Sequence, residues 1–264
     1  MGHKKENNTR YTYMNTLKQS LKNRDKTIGS WLALPTEATA EIMAQAGFEW
    51  LVIDMEHAPI GIEEAARLIR IVDLAGLPVL CRLPYNAPDL AKNVLDAGAT
   101  GIIVPMVESK EEAQRAVESA YYPPVGKRGV GLARAQAYGS GFETYKKKIQ
   151  DSLVVIAMIE TQKGIENVGA IATTPGIDAL LIGPYDMSAS LGLIGQLDHP
   201  TLRSSLKKVI EAAHKAGIGC GLHVVHPEKE SIAKALNDGY TFLVLGVDMI
   251  FLDQAATMAV KRAV

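Results

Sequence analysis

The chain predicts an α/β protein, a single closed (β/α)8 barrel. Continuous apolar runs of strand length alternate with amphipathic stretches of helix length, the pattern of right-handed β-α-β units. The runs are apolar at successive rather than alternate positions, so both sheet faces are covered, as in a parallel sheet. Eight such runs within 264 residues fit a barrel of roughly 250 residues.

Strands are expected at Thr27–Leu34, Trp50–Asp54, Pro78–Leu83, Gly101–Val104, Leu153–Ile159, Ala179–Ile182, Ile218–Leu222 and Phe242–Gly246. Between them, Thr36–Ala46 carries Thr39, Ile42, Met43 and Ala46 at helical spacing and ends at Gly47. Ile62–Ala75 has Glu63 and Glu64 in its first turn and ends at Gly76. Ala87–Ala97 ends at Gly98, and glycine past a helix supplies the left-handed exit. Ser109–Tyr121 opens with Ser109-Lys110-Glu111-Glu112, a capping box in which the serine accepts an orphan amide and Glu112 reaches back. The span Tyr122–Gln150 breaks the rhythm and reads as a long loop, of the kind that serves as lid or interface. Residues 1–20 read as a flexible N-terminal extension and residues 21–264 as one barrel domain.

Composition narrows the function. The chain is 47% hydrophobic and 22% charged, ordinary for a globular protein. A net charge of −1 without a long basic stretch, and only 6% aromatics, argue against nucleic acid. No apolar run approaches the ~18 residues that span a membrane. The polar N-terminus lacks a signal-peptide hydrophobic region. Cys81 and Cys220 are too few for a disulfide framework and lie in strand-like runs, so a reduced, cytoplasmic setting is expected.

Several strands deliver polar groups at their C-terminal ends, where barrels of this kind carry their chemistry. Leu51-Val52-Ile53 runs into Asp54-Met55-Glu56-His57, Leu153–Ile159 into Glu160, and Ala179–Ile182 into Gly183-Pro184-Tyr185-Asp186. Glu160 and Asp186 follow neighbouring strands and repel unless a cation or proton lies between them. An all-oxygen pair suits Mg2+ or Mn2+. The bland alternative is two unrelated acids, each capping a helix or paired with a lysine. His57 is a candidate general base. Asp54 or Asp96 would fix its tautomer, and the alternative is an ordinary loop histidine. Arg82, at the end of the third strand, can grip a carboxylate, polarise a carbonyl or form a structural ion pair. Arg128 and Arg134, in the long loop, are weaker candidates for substrate contact. The turn Gly183–Ser188 exposes amides that can hold an anion. His199 and His214 read as solvated. His223 follows the seventh strand and borders the site with no obvious partner, and His226 has a weaker context still.

Taken together these segments resemble the HpcH/HpaI aldolase family, the metal-dependent class II pyruvate aldolases. The carrying pieces are Gly47–Pro59, Arg82-Leu83-Pro84-Tyr85-Asn86, Leu95-Asp96-Ala97-Gly98-Ala99, Val104–Val107, Tyr122–Gly131, Ile159-Glu160-Thr161 and Ile182–Gly192. They cover nearly the whole chain after the first 20 residues. The resemblance implies Glu160 and Asp186 as ligands of a divalent metal, Mg2+ or Mn2+ with Co2+ also admitted. It implies Arg82 at the 2-oxo oxygen, His57 as acid–base residue supported by Asp54 and Asp96, and amides of the Gly183-Pro184-Tyr185-Asp186 turn on the pyruvate carboxylate. The partners implied are a small oxo acid and an aldehyde, in a homo-hexamer (a trimer of dimers) with a domain-swapped last helix.

The reaction expected is metal-dependent reversible aldol cleavage of a 4-hydroxy-2-oxo acid to pyruvate and an aldehyde. The candidate lysines sit on polar helices or loops, which disfavours an imine route. Carbon–carbon cleavage of an acyl-CoA, as in related citrate-lyase β-type barrels, is the second reading, and a non-catalytic oxo-acid binder is the third. Members close to the hydroxy-oxo-heptanedioate enzyme carry glutamine where this chain has Met158, so one hydrogen-bonding group near the metal is lost. Tyr185 stands where alanine is common.

Overall fold

The computed structural model describes residues 14 and 16–263. Its eight strands close into one all-parallel barrel in sequence order, a single (β/α)8 TIM barrel. The strands are β1 Thr27–Leu32, β2 Trp50–Asp54, β3 Val79–Arg82, β4 Gly101–Val104, β5 Val154–Ile159, β6 Ala179–Ile182, β7 Gly219–Val224 and β8 Phe242–Val247. Most differ from expectation by a residue or two at an end. The shift at β7 matters, because His223 lies inside the strand rather than after it.

Alternate residues of each strand face inward, and their sizes are matched. A Cβ on Gly29 would lie 2.3 Å from the ring of Trp50, and one on Gly221 2.2 Å from Phe242. Those two rings stack across the axis at 4.4 Å and 19°. Bare backbone on β1 and β7 therefore makes room for the largest side chains of β2 and β8. Outside the barrel, helices cover the sheet with Ile, Leu, Val and Ala packed into a second continuous layer. The helix Pro88–Ala97 ends as its glycine predicts, with Gly98 left-handed at φ 116° and its N–H bonded to Val94 and Leu95 carbonyls. Ser109 caps Lys110–Ala120 by accepting from Glu112 N–H, and Glu112 returns a carboxylate to the Glu108 N–H.

Two expectations need correction. Most of the expected flexible extension lies outside the described residues, but residues 16–23 are helical. This segment closes the N-terminal end of the barrel. Leu17 and Leu21 join the inner core, and Lys18 Nζ reaches Asp178 at 2.9 Å and the Leu153 carbonyl at 2.6 Å. Nor is Tyr122–Gln150 loop throughout. Phe142–Ser152 is a helix that buries Tyr145, Ile149 and Ser152, one side at helical spacing.

The last helix, Asp248–Ala263, leaves the barrel rim, and every residue from 252 to 263 is exposed. Among the described residues, no helix is long and apolar enough to cross a membrane.

Candidate active site

The C-terminal rim of the barrel gathers Asp54, Glu56, His57, Arg82, Glu160 and Asp186. In-register pairing of β2 and β3 sets Asp54 beside Arg82, and the two form a fork. Arg82 Nε donates to Asp54 Oδ1 at 2.9 Å and Nη2 to Oδ2 at 2.6 Å. The guanidinium lies 4.4 Å above the Trp31 ring, and Nη1 is 3.2 Å from Glu56 Oε2. Such a bidentate, stacked arginine has little rotational freedom. The ion pair with a neighbouring carboxylate is formed, at the end of β3.

Asp54 is not the partner of the His57 ring. Its Oδ1 accepts the main-chain N–H groups of Glu56 and His57 at 3.0 and 3.2 Å as well as Arg82. The carboxylate folds the turn after β2 and fixes Arg82. The His57 ring is largely exposed, and its nearest acid is Glu56, 3.7 Å from Nε2. Asp96 is not at the ring either. It sits at the end of Pro88–Ala97, where Arg128 Nη2 donates at 2.5 Å and Gln136 Nε2 at 3.2 Å. The chain alone thus brings neither expected carboxylate to the imidazole.

Glu56 is the residue that sequence reasoning passed over. It lies two positions beyond Asp54, in the bend that follows β2, and its place between Asp54 and His57 was the available signal. Its Oε2 is buried without a hydrogen bond. Burial pushes its carboxyl up to about 7; the Arg82 charge opposes this, and the acids Asp54 and Asp186 add to it.

Glu160 is 4% exposed at the end of β5. Its Oε1 accepts the Met106 N–H at 2.7 Å, and Met106 holds a left-handed backbone (φ 53°) to make that bond. The other oxygen is aimed by the bare backbone of Gly183. A Cβ there would lie 2.7 Å from Glu160 Oε2 and 3.4 Å from Asp186 Oδ2. The two carboxylates therefore converge on one point beside Gly183. Burial raises Glu160 to about 7; the Met106 N–H opposes the rise, while Glu56 and Asp186 reinforce it. Four acids, Asp54, Glu56, Glu160 and Asp186, share one field with a single arginine, an arrangement that a divalent cation would relieve. The donor set, all carboxylate oxygen, fits Mg2+ or Mn2+. Among the described residues, no group of three or more His, Cys, Asp or Glu side chains is arranged to hold a metal. Glu160 and Asp186 are the two carboxylates that would face such an ion beside Gly183.

The other candidates fall into place around this centre. Tyr185 stands half-exposed in the first turn of Pro184–Ser190. The Tyr185 and Asp186 amides precede that helix's first bond, from Met187 N–H to the Gly183 carbonyl. Met158 is buried in the inner core. Arg128 and Arg134 are structural rather than substrate-facing, paired with Asp96 and Asp73. His199 accepts the Thr201 N–H at the start of Pro200–Ala216, and His214 bonds the Gly239 carbonyl. His226 lies near Gln254, 3.4 Å from Nδ1.

Known proteins share this architecture and sequence. The HpcH/HpaI aldolase/citrate lyase family model matches residues 27–255. A hydroxypyruvate/pyruvate aldolase of Paraburkholderia phytofirmans is 37% identical over 258 residues, covering 95% of this chain and 98% of that protein. A 5-keto-4-deoxy-D-glucarate aldolase of Salmonella paratyphi C is 36% identical over 239 residues, covering 90% of this chain and 92% of the relative. A crystal structure of a HpcH/HpaI aldolase/citrate lyase family protein from Burkholderia cenocepacia superposes with a TM-score of 0.89 at 34% identity, over 94% of this chain and 99% of the other. The match spans all eight strands of the barrel, and the chain belongs to the HpcH/HpaI aldolase/citrate lyase family.

Proposed function

We propose that the chain catalyses the reversible aldol cleavage of a 4-hydroxy-2-oxo acid to pyruvate and an aldehyde. The observation that carries this is the convergence of Glu160 Oε2 and Asp186 Oδ2 beside Gly183, within the field of a clamped Arg82. A divalent ion held by Glu160 and Asp186, Mg2+ or Mn2+ with Co2+ also suited to oxygen donors, would polarise the 2-oxo group.

The chain's own residues do the rest. Asp54 takes Arg82 Nε and one N–H of Nη2, and Glu56 faces Nη1. A guanidinium has five N–H donors, so N–H groups on both Nη atoms remain for the oxygen where enolate charge develops. Because the fork is already in place, little reorganisation is needed as that charge appears. The amides of Tyr185 and Asp186 hold the substrate carboxylate. His57, exposed at the rim, takes the proton of the 4-hydroxyl and returns it in the synthetic direction. None of the eight strands carries a lysine, in keeping with a route that needs no imine.

The relatives named for hydroxypyruvate/pyruvate and for 5-keto-4-deoxy-D-glucarate support the reaction class. Buried free thiols at Cys81 and Cys220 suit a reduced cytoplasmic setting. The projecting helix Asp248–Ala263, with Leu252, Met258 and Val260 uncovered, suits a helix swapped onto a neighbouring barrel in a homo-hexamer. The direct test is exchange of the C3 protons of pyruvate in D2O with Mg2+ or Mn2+, followed by NMR. Exchange that requires the metal supports the reading, and none above the protein-free control overturns it.

A further inference from the structure

His223 and Trp31 are inward-facing residues of β7 and β1 that the proposed aldol chemistry leaves unused. Their rings meet edge to face at 5.9 Å and 71°. His223 Nε2 is 3.1 Å from the Gly246 carbonyl oxygen. A carbonyl only accepts, so Nε2 carries the proton and Nδ1 is left as a bare acceptor. Nothing among the described residues is bonded to Nδ1. Burial holds the ring neutral, lowering its pKa to about 4; the Gly246 bond opposes this, and the nearby Arg82 charge adds to it. Trp31 is 4% exposed, and its Nε1 is a buried donor with no partner. The same indole carries Arg82 on its face, so the pair borders the reacting centre.

A buried donor left unpaired is costly, and native structures leave few such groups without a reason. Here a fixed acceptor and an unfilled donor sit on touching rings at the mouth of a barrel. A hydroxyl group donates and accepts at once and so can partner either atom, whereas a methyl group can partner neither.

We propose that His223 Nδ1 and Trp31 Nε1 form a subsite for a hydroxyl on the carbon next to a substrate carbonyl, and that they set a preference for hydroxylated substrates. This rests on the aldolase reading above. The hydroxyl can arrive on the aldehyde, as in glycolaldehyde, or on the oxo acid, as in hydroxypyruvate.

The test compares near-isosteric pairs with the full chain and Mn2+: glycolaldehyde against propanal with pyruvate, and hydroxypyruvate against 2-oxobutanoate with a common aldehyde. The wild-type chain is expected to favour the hydroxylated member of one pair by about tenfold or more in kcat/KM, since a site built to bond a hydroxyl rejects its analogue strongly. The pair that shows the preference identifies the source. His223→Leu is expected to abolish the preference. His223→Asn, which returns an acceptor near Nδ1, keeps most of it, and Trp31→Phe lowers it. If His223→Leu does not fold, the Asn and Phe variants decide the matter on the same ratio. Absence of preference in both wild-type pairs, or a ratio unmoved by these substitutions, overturns the subsite while leaving the aldolase reading intact. A wild-type chain that fails to exchange pyruvate C3 protons overturns both.

Discussion

Arg82 is committed before substrate arrives: two bonds to Asp54, an indole beneath it and Glu56 at its flank. That pre-arrangement is what an oxyanion donor needs, and Arg82→Ala is expected to lower kcat for aldol cleavage by on the order of 100-fold or more. A coupled pyruvate assay checks this; near-full turnover would remove Arg82 from the mechanism. Glu160 makes a different prediction, about protons. Its folded carboxyl is raised to about 7 from 4.5, so the folded state holds a proton that the unfolded chain has released. Its contribution to stability is present below 4.5 and is lost as pH rises through about 7. In chelated, metal-free buffer the Tm of the wild-type chain should therefore fall relative to Glu160→Gln between pH 5 and pH 8. Added Mn2+ should restore the wild type at the upper end and not the variant. Most of these residues were legible because an apolar run that ends in acid or arginine marks the rim of a barrel. Glu56 was not, since a carboxylate in a polar turn has many uses and only its contact with Arg82 selects one.

At the scale of elements, the connection between Lys110–Ala120 and β5 shows where sequence reading thins out. Tyr145, Ile149 and Ser152 do fall on one helical face of Phe142–Ser152, but three consecutive lysines dilute the apolar pattern. Tyr122–Gly131 and the turns after it are ordered by long-range pairs that no local pattern reveals. Arg128 donates to Asp96 and to the Tyr145 hydroxyl, and lies over the Tyr122 ring. Gln136 links Asp96 to Tyr122, and Arg134 bonds Asp73 on Ile62–Leu74. The strap is thus clasped to two barrel helices by arginines that sequence alone leaves free to face substrate. The Arg128 side chain is wholly buried, so its removal takes from the Asp96 carboxylate its charge partner and from the Tyr145 hydroxyl a donor. Arg128→Ala is expected to cost about 3–5 kcal/mol of unfolding free energy, the range for breaking a buried ion pair. Urea denaturation measures it, and a loss below 1 kcal/mol would mean that the strap is held by its other contacts.

At the scale of the molecule, the barrel was the most legible feature, because eight apolar runs leave few other ways to cover both faces of a parallel sheet. What a single chain does not explain is the last helix. Asp248 anchors its start by accepting the Ala33, Leu34 and Met249 N–H groups, which also fastens the β1 end that carries Trp31. Phe251 still stacks on Phe48 and Gln254 lies near His226, but every residue from 252 to 263 is exposed. Leu252 is 63%, Met258 52% and Val260 64% exposed. Uncovered apolar side chains along several turns mark a surface that another molecule covers, and in the proposed hexamer a neighbouring barrel would be that cover. Light scattering on the full chain should then give the mass of six copies. Charges on that face are costly only if it is buried between copies. Leu252→Asp combined with Val260→Asp is therefore expected to yield smaller species and to lower Tm by several degrees. A wild-type mass of one chain, or a hexamer indifferent to both charges, would mean that the helix is left to solvent and that the subunits, if they associate, meet elsewhere.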